Sequence, residues 1–192
     1  MAGDAAATRA SILRAAIAEF SEFGYRGGRI ERVSAMSGAN KRMIYVHFGD
    51  KEGLFSAALH AVLSRLTAEV PITEDDLPGY AVRLFDHLES HPEAARLSAW
   101  RQLERPDLGP DNDDLYRGKF GALSPGSPGP QDEALVVDAL VLLQGMAAAR
   151  QISGAEALHA LAAGRPAAED RARYRHSLGI AARSVVERLL GS

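Results

Sequence analysis

The segment from Arg29 to Phe55, RIERVSAMSGANKRMIYVHFGDKEGLF, constrains its own fold more tightly than any other part of the chain. Ile30 and Val33 give a first short helix an apolar stripe, and Gly38 breaks the chain after it. Asn40 can cap the next helix, where Ile44 and Phe48 recur at i and i+4. The spacing predicts two short helices joined by a tight turn, then a third. Lys41, Arg42, Tyr45 and His47 crowd onto the middle helix, so its apolar side chains turn inward while the cationic ones project. A short helix held in this way has the layout of a helix-turn-helix reader of DNA.

The net charge of −3 looks wrong for a DNA binder until it is divided along the chain. Residues 1–48 hold seven Lys and Arg against four Asp and Glu, whereas the remainder holds 15 against 21. The basic excess lies where the motif lies, and a footprint on phosphate needs local rather than global positivity. The absence of cysteine removes disulfides, thiolate metal sites and a cysteine nucleophile, and is compatible with a reducing cytoplasm. No run approaches the roughly 18 apolar residues of a membrane span, and the N-terminus lacks a signal-peptide core. The expectation is a cytoplasmic protein with no membrane partner.

Helical periodicity runs through the rest of the chain. Ile12, Leu13, Ala16, Ile17, Phe20 and Phe23 follow helical spacing from a Thr8 cap, and Gly24 ends the pattern. Asp50 can cap a helix with Leu54, Phe55, Ala58, Leu59, Val62, Leu63 and Leu66 as its stripe, ending before Pro71. Residues 71–79 read as a loop, and a helix with Val82, Leu84, Phe85 and Leu88 follows to His91. Pro92 suits the first turn of another, which carries Leu97, Trp100 and Leu103 and stops before Pro106. Residues 107–114 read as loop, 115–120 as a short helix and 124–130 as a further loop. From Glu133 to Ala149 the pattern is apolar nearly all round, so that helix must be covered on several sides. Ser153 and Glu156 form a capping-box pattern, and Pro166 opens the last helix, with Leu178, Ala181, Ala182, Val185, Val186, Leu189 and Leu190 on its buried side. No strand alternation appears. The expected fold is all-α, with an N-terminal three-helix DNA-binding domain over residues 1–49 and a larger helical domain over 50–192.

The order of these features, an amphipathic helix ending in Phe23-Gly24-Tyr25 and then Tyr45-Val46-His47-Phe48-Gly49-Asp50-Lys51-Glu52, resembles the TetR family of transcriptional regulators. About the first 55 residues match well; beyond them the helical layout agrees. The resemblance implies that the Tyr45 hydroxyl, the His47 ring and Lys51 bind phosphates, which fixes orientation without reading sequence. Two departures stand out. The family usually has threonine or serine at the start of the second helix, where this chain has Gly28 and Arg29, and serine where it has Asn40. Glycine offers a phosphate no hydroxyl, so Arg29 is expected to bind that phosphate instead.

Reading of bases is assigned to the start of the middle helix, which enters the major groove. Arg42 can bridge O6 and N7 of a guanine, Lys41 can serve a guanine or a phosphate, and Met43 and Val46 can touch thymine methyls. One short helix reads few base pairs, so a homodimer on a near-palindromic double-stranded operator is expected. The family resemblance places the dimer interface on the last two long helices, and the apolar surplus of residues 133–149 matches that need.

The rear half holds more apolar helix than a DNA reader requires, and the resemblance implies an internal pocket for a small-molecule effector that loosens the operator. Phe85, Leu88, Leu97, Trp100, Leu103, Phe120, Leu143 and Met146 are its candidate lining, with His87, Arg101, Glu104, Tyr116 and Gln144 as polar candidates. The competing expectation is a regulator that senses no small molecule and uses its rear domain for dimerisation or a protein partner. His87 and His91 stand at i and i+4, but the sequence fixes no third ligand, so no metal site is assigned. No phosphate-binding glycine loop, serine elbow or zinc-protease motif is present, and no enzyme activity or cofactor is expected.

Overall fold

A computed structural model describes residues 2–108, 130–153, 160 and 166–191. Its elements are α1 (Ala2–Gly27), α2 (Ile30–Ser37), α3 (Lys41–Phe48), α4 (Lys51–Glu69), a 3-10 turn (Glu74–Asp76), α5 (Leu77–Ser90), α6 (Pro92–Glu104), α7 (Pro130–Ile152) and α8 (Ala167–Leu190). No strand occurs among the described residues, so the all-α expectation holds. The segments 115–120 and 124–129, the Glu156 end of the capping box, and Tyr116 and Phe120 lie outside them.

The helices fall into two compact units. The first gathers α1, α2, α3, α4 through Leu66, and α6; the second gathers residues 67–91 with α7 and α8. In the first unit α1 is the hub, packing on α2, α3 and α6. Ile12, Ala16 and Phe20 on α1 are fully buried, and the Phe20 ring meets Phe55 of α4 edge to face at 5.2 Å. Burying aromatic rings of this size dominates the energetics of so small a core. In the second unit α5 packs against both α7 and α8, which also pack on each other.

Two boundaries and one burial differ from the sequence expectation, each for a local reason. Helix α1 starts at Ala2 rather than at a Thr8 cap, because the alanine-rich residues ahead of Thr8 favour helix and nothing there stops it. Helix α5 starts at Leu77, inside the expected loop, since Asp76 Oδ1 accepts the Gly79 N–H at 2.9 Å and Pro78 is harmless in a first turn. Phe23, expected on the buried stripe, is exposed, and the Arg32 guanidinium stacks 4.1 Å from its ring centroid. Pro92 opens α6, and Pro166 caps the start of α8, as the sequence predicts.

Helix α7 is the one described helix whose length and composition, over Ala134–Ile152, would also suit a membrane span, a pattern that core helices share, so it does not overturn the expectation of no membrane span. Part of that apolarity is spent inside the second unit. Ala139, Leu140, Leu143 and Ala147 are buried, and Arg150 near its end donates to the Asp170 carboxylate of α8 at 2.7 Å. Arg173 and then Arg150 hold that carboxyl below the usual carboxylate range. Val137, Val141 and Leu142 on α7 and Ile180 on α8 stay exposed.

Candidate nucleic-acid interface

The turn between α2 and α3 is built by three side chains and one glycine. Gly38 closes α2 at φ +73°, ψ 0°, and its N–H donates to the Ser34 carbonyl at 3.1 Å. This left-handed geometry suits a residue without Cβ. The Ser34 hydroxyl donates to the Ala39 carbonyl at 2.6 Å, and Ser11 of α1 reaches across to the Ser37 carbonyl at 3.0 Å. Asn40 then caps α3, its Oδ1 accepting the Met43 N–H at 3.0 Å.

With Ile44 fully buried and Phe48 buried beside it, the rotation of α3 is fixed. Asn40, Lys41, Arg42, Tyr45 and Val46 are exposed as a consequence, and Met43 and His47 are half-buried. The first turn of α3 carries two cations and no acid. Cations are disfavoured at the positive end of a helix dipole, and a phosphate at that end would reverse the penalty. Lys41 is answered internally: its Nζ lies 2.6 Å from Glu31 Oε1 of α2. That bond holds the lysine above its ordinary pKa and the glutamate below its own. Arg9 adds a cation at the other end, its guanidinium 4.9 Å from the Phe48 ring centroid. The His47 Nε2 is enclosed, with no hydrogen-bond partner among the described residues.

The support beneath this surface contains a buried charge that sequence reasoning missed. Glu19 of α1 is only 2% exposed. Its two oxygens share the Arg32 Nε–H at 2.8 and 2.9 Å, and Oε1 also accepts the Arg29 N–H at 2.8 Å. Arg29 is the residue preceding α2 and makes no side-chain cap of its own, so a carboxylate from another helix caps α2. The signal in the sequence is that Glu19 falls on the Ile12–Ala16–Phe20 face of α1, where a charge needs a partner. Gly28 is buried against the Phe20 ring, and a Cβ there would lie 2.6 Å from Phe20 Cε1. That approach accounts for a glycine in place of threonine or serine: no hydroxyl-bearing side chain fits at this position beside this phenylalanine.

Lys51 opens α4 but directs its Nζ at the Arg26 carbonyl of α1, 3.4 Å away, and over the Tyr25 ring at 4.9 Å. Burial lowers its pKa from the ordinary lysine value. Arg105, which follows α6, lies over the same ring at 4.8 Å and pairs with Glu52 at 2.8 Å. Both contacts are invisible to local sequence patterns.

The expected effector-lining residues divide between the two units. Phe85, Leu88 and Leu143 are buried in the second, with half-buried Met146, whose carbonyl accepts the Tyr174 hydroxyl at 2.7 Å. Leu97, Trp100, Arg101 and Glu104 belong to the first. There the Trp100 indole N–H donates to the Ser21 carbonyl at 3.3 Å, and Glu104 Oε2 accepts the Arg26 N–H at 2.9 Å. Arg101 donates to the Leu108 carbonyl at 3.4 Å. Leu103, expected among the lining, is exposed because it falls off the Leu97–Trp100–Glu104 face of α6.

Comparison with known proteins agrees with this geometry. Residues 12–58 match the family model of bacterial regulatory proteins of the tetR family, and residues 76–184 match that of the tetracyclin repressor-like C-terminal domain. The chain is 42% identical over 103 residues to the HTH-type transcriptional repressor SCO4008 of Streptomyces coelicolor, covering 54% of each chain. It is 34% identical over 105 residues to the HTH-type transcriptional repressor NicS of Pseudomonas putida, covering 51% of this chain and 50% of NicS. The chain thus spans about half the length of the curated relatives it matches. Among solved structures, SCO4942 from Streptomyces coelicolor superposes with a TM-score of 0.70 at 27% identity, over 89% of this chain and 96% of that one. A helix-turn-helix head matched by one model and a helical rear matched over more than half the chain by another lead to one conclusion: the chain belongs to the TetR family of bacterial regulatory proteins.

Proposed function

We propose that the chain is a sequence-specific DNA-binding transcriptional regulator, a repressor released from a palindromic operator by a small-molecule ligand, working as a cytoplasmic homodimer. The observation that carries the DNA reading is the presentation of Arg42, Tyr45 and Val46 on α3 while Ile44 and Phe48 anchor it from behind. Arg42 reads a guanine and Val46 a thymine methyl; Tyr45, His47, Arg29 and Lys51 serve phosphates, with Lys51 leaving the Arg26 carbonyl to do so. In an operator titration followed by fluorescence anisotropy, Arg42→Ala is expected to lose ~1–3 kcal/mol of discrimination at one base position. Tyr45→Phe is expected to weaken every sequence alike. Uniform losses for both would overturn the assignment of Arg42 as the base reader.

The dimer reading is supported by the exposed Val137, Val141, Leu142 and Ile180 on α7 and α8. An apolar face of this kind marks an association surface, and two-fold pairing would present two α3 helices to two half-sites. Val141→Glu is expected to give a monomer in sedimentation velocity that retains its helical circular dichroism but binds the operator weakly. A variant still dimeric at the same concentration would move the interface elsewhere.

The effector reading is supported by the match of residues 76–184 to a repressor-type C-terminal domain and by a polar contact within the second unit, Gln144 Nε2 to the Tyr80 hydroxyl at 3.4 Å. An effector lowers operator affinity only by its differential binding to two conformations, typically ~1–3 kcal/mol. Helix α4, one unbroken helix from Lys51 to Glu69, is the proposed carrier of that change.

A further inference from the structure

The second unit brings together one carboxylate and two imidazoles that play no part in the DNA reading. Glu69 is the last residue of α4, His87 lies in the last turn of α5, and His91 caps that helix's end. Glu69 Oε2 lies 3.2 Å from His87 Nδ1, and the rings of His87 and His91 are 4.8 Å apart at 51°. One donor atom from each of the three residues lies within 4.8 Å of the other two. His87 is buried, His91 half-buried and Glu69 exposed, so the cluster runs from the core to water.

We propose that Glu69, His87 and His91 form a binding site for a divalent transition-metal ion, with Zn2+ the ion that best fits the donor set. Two imidazole nitrogens of borderline hardness beside one harder carboxylate oxygen make a set that Zn2+ shares with neighbouring first-row ions and that Mg2+ and Ca2+, which bind oxygen alone, do not favour. Histidines at i and i+4 present both rings on one side of a helix, which the sequence shows; the third donor comes from another helix, which it does not. Metal–ligand bonds of about 2.0–2.2 Å place donors in a tetrahedral shell about 3.4 Å apart. The Glu69–His87 pair is already at that spacing, and the widest separation must shrink by about 1.4 Å to reach it. Both residues that must move are able to. Glu69 is an exposed side chain at a helix end, and His91 sits at φ −134°, ψ 66°, outside the α-helical rotamer restraints. The three side chains leave a fourth position for water or a further ligand. Binding would draw the ends of α4 and α5 together and stabilise the folded chain by mass action.

The test is isothermal titration of the full chain, stripped with EDTA and dialysed, with Zn2+, alongside His91→Ala and Glu69→Gln. Neither substitution removes a buried side chain, and matched melting temperatures of the stripped proteins establish that both variants fold. The expected result is saturable binding of one ion per chain, a rise in melting temperature on adding Zn2+, and a loss of at least about 10-fold in affinity in each variant. The absence of saturable binding in the unaltered chain would overturn the proposal, as would binding that persists unchanged in both variants.

Discussion

Replacing Gly24 with alanine is expected to cause the largest loss of stability in the first unit. Gly24 interrupts α1 at φ +69°, ψ −174°, a conformation essentially reserved for glycine, whose occupation by another residue costs about 1–3 kcal/mol. The position is also closed from outside. A Cβ there would lie 2.8 Å from Trp100 Cε3 and 2.8 Å from Glu104 Oε2, both on α6. The indole is tethered to the Ser21 carbonyl and the carboxylate to the Arg26 N–H, so neither yields without breaking a bond. Overpacking adds about 1–3 kcal/mol, for a combined loss of about 2–6 kcal/mol in urea unfolding. Gly38→Asn is the contrasting case, because asparagine tolerates the left-handed region and nothing lies within 4 Å of a Cβ there. A Gly24→Ala midpoint no lower than that of Gly38→Asn would refute the account of the α1–α6 contact.

The second large effect is expected at Glu19. Its alanine variant removes a buried acceptor shared by the Arg32 guanidinium and the Arg29 N–H, leaving the start of α2 without its cap. Loss of a buried, charge-assisted network of this kind costs about 3 kcal/mol. Glu19→Gln keeps one oxygen for the Arg29 N–H but not the charge for Arg32, so it should fall between the two. Operator affinity should drop with stability, since α2 sets the register of α3. A Glu19→Ala protein within about 0.5 kcal/mol of the unaltered chain would mean that the carboxylate contributes nothing net.

The contrast between Ile44 and Trp100 shows what can be read in advance. Ile44 and Phe48 announce the buried side of α3 through spacing alone, and Asn40 and Gly38 mark its start and the preceding stop, so the outward set of Arg42, Tyr45 and Val46 follows from local chemistry. Trp100 reads as pocket lining because it is large and apolar. Its partner is a glycine far away in the chain, recognisable only once α6 is seen lying on α1. Glu19 is countable as a charge but not as a cap, since the N–H it serves belongs to another helix. The same gap separates Glu69 from His87 and His91. Periodicity reports which side of a helix is inward; it carries no information on which helix receives it.

The bare valines and leucine of α7 have a consequence for how such a protein is measured and how it behaves in a cell. In the proposed homodimer, a subunit that leaves apolar area to be covered by its twin would have a melting point that climbs with the amount of protein in the tube. Dilution would undo the proposed pairing of α7 and α8, and an effector acting through α4 would weaken the hold of that same dimer on its operator. Abundance and ligand would then act on one equilibrium.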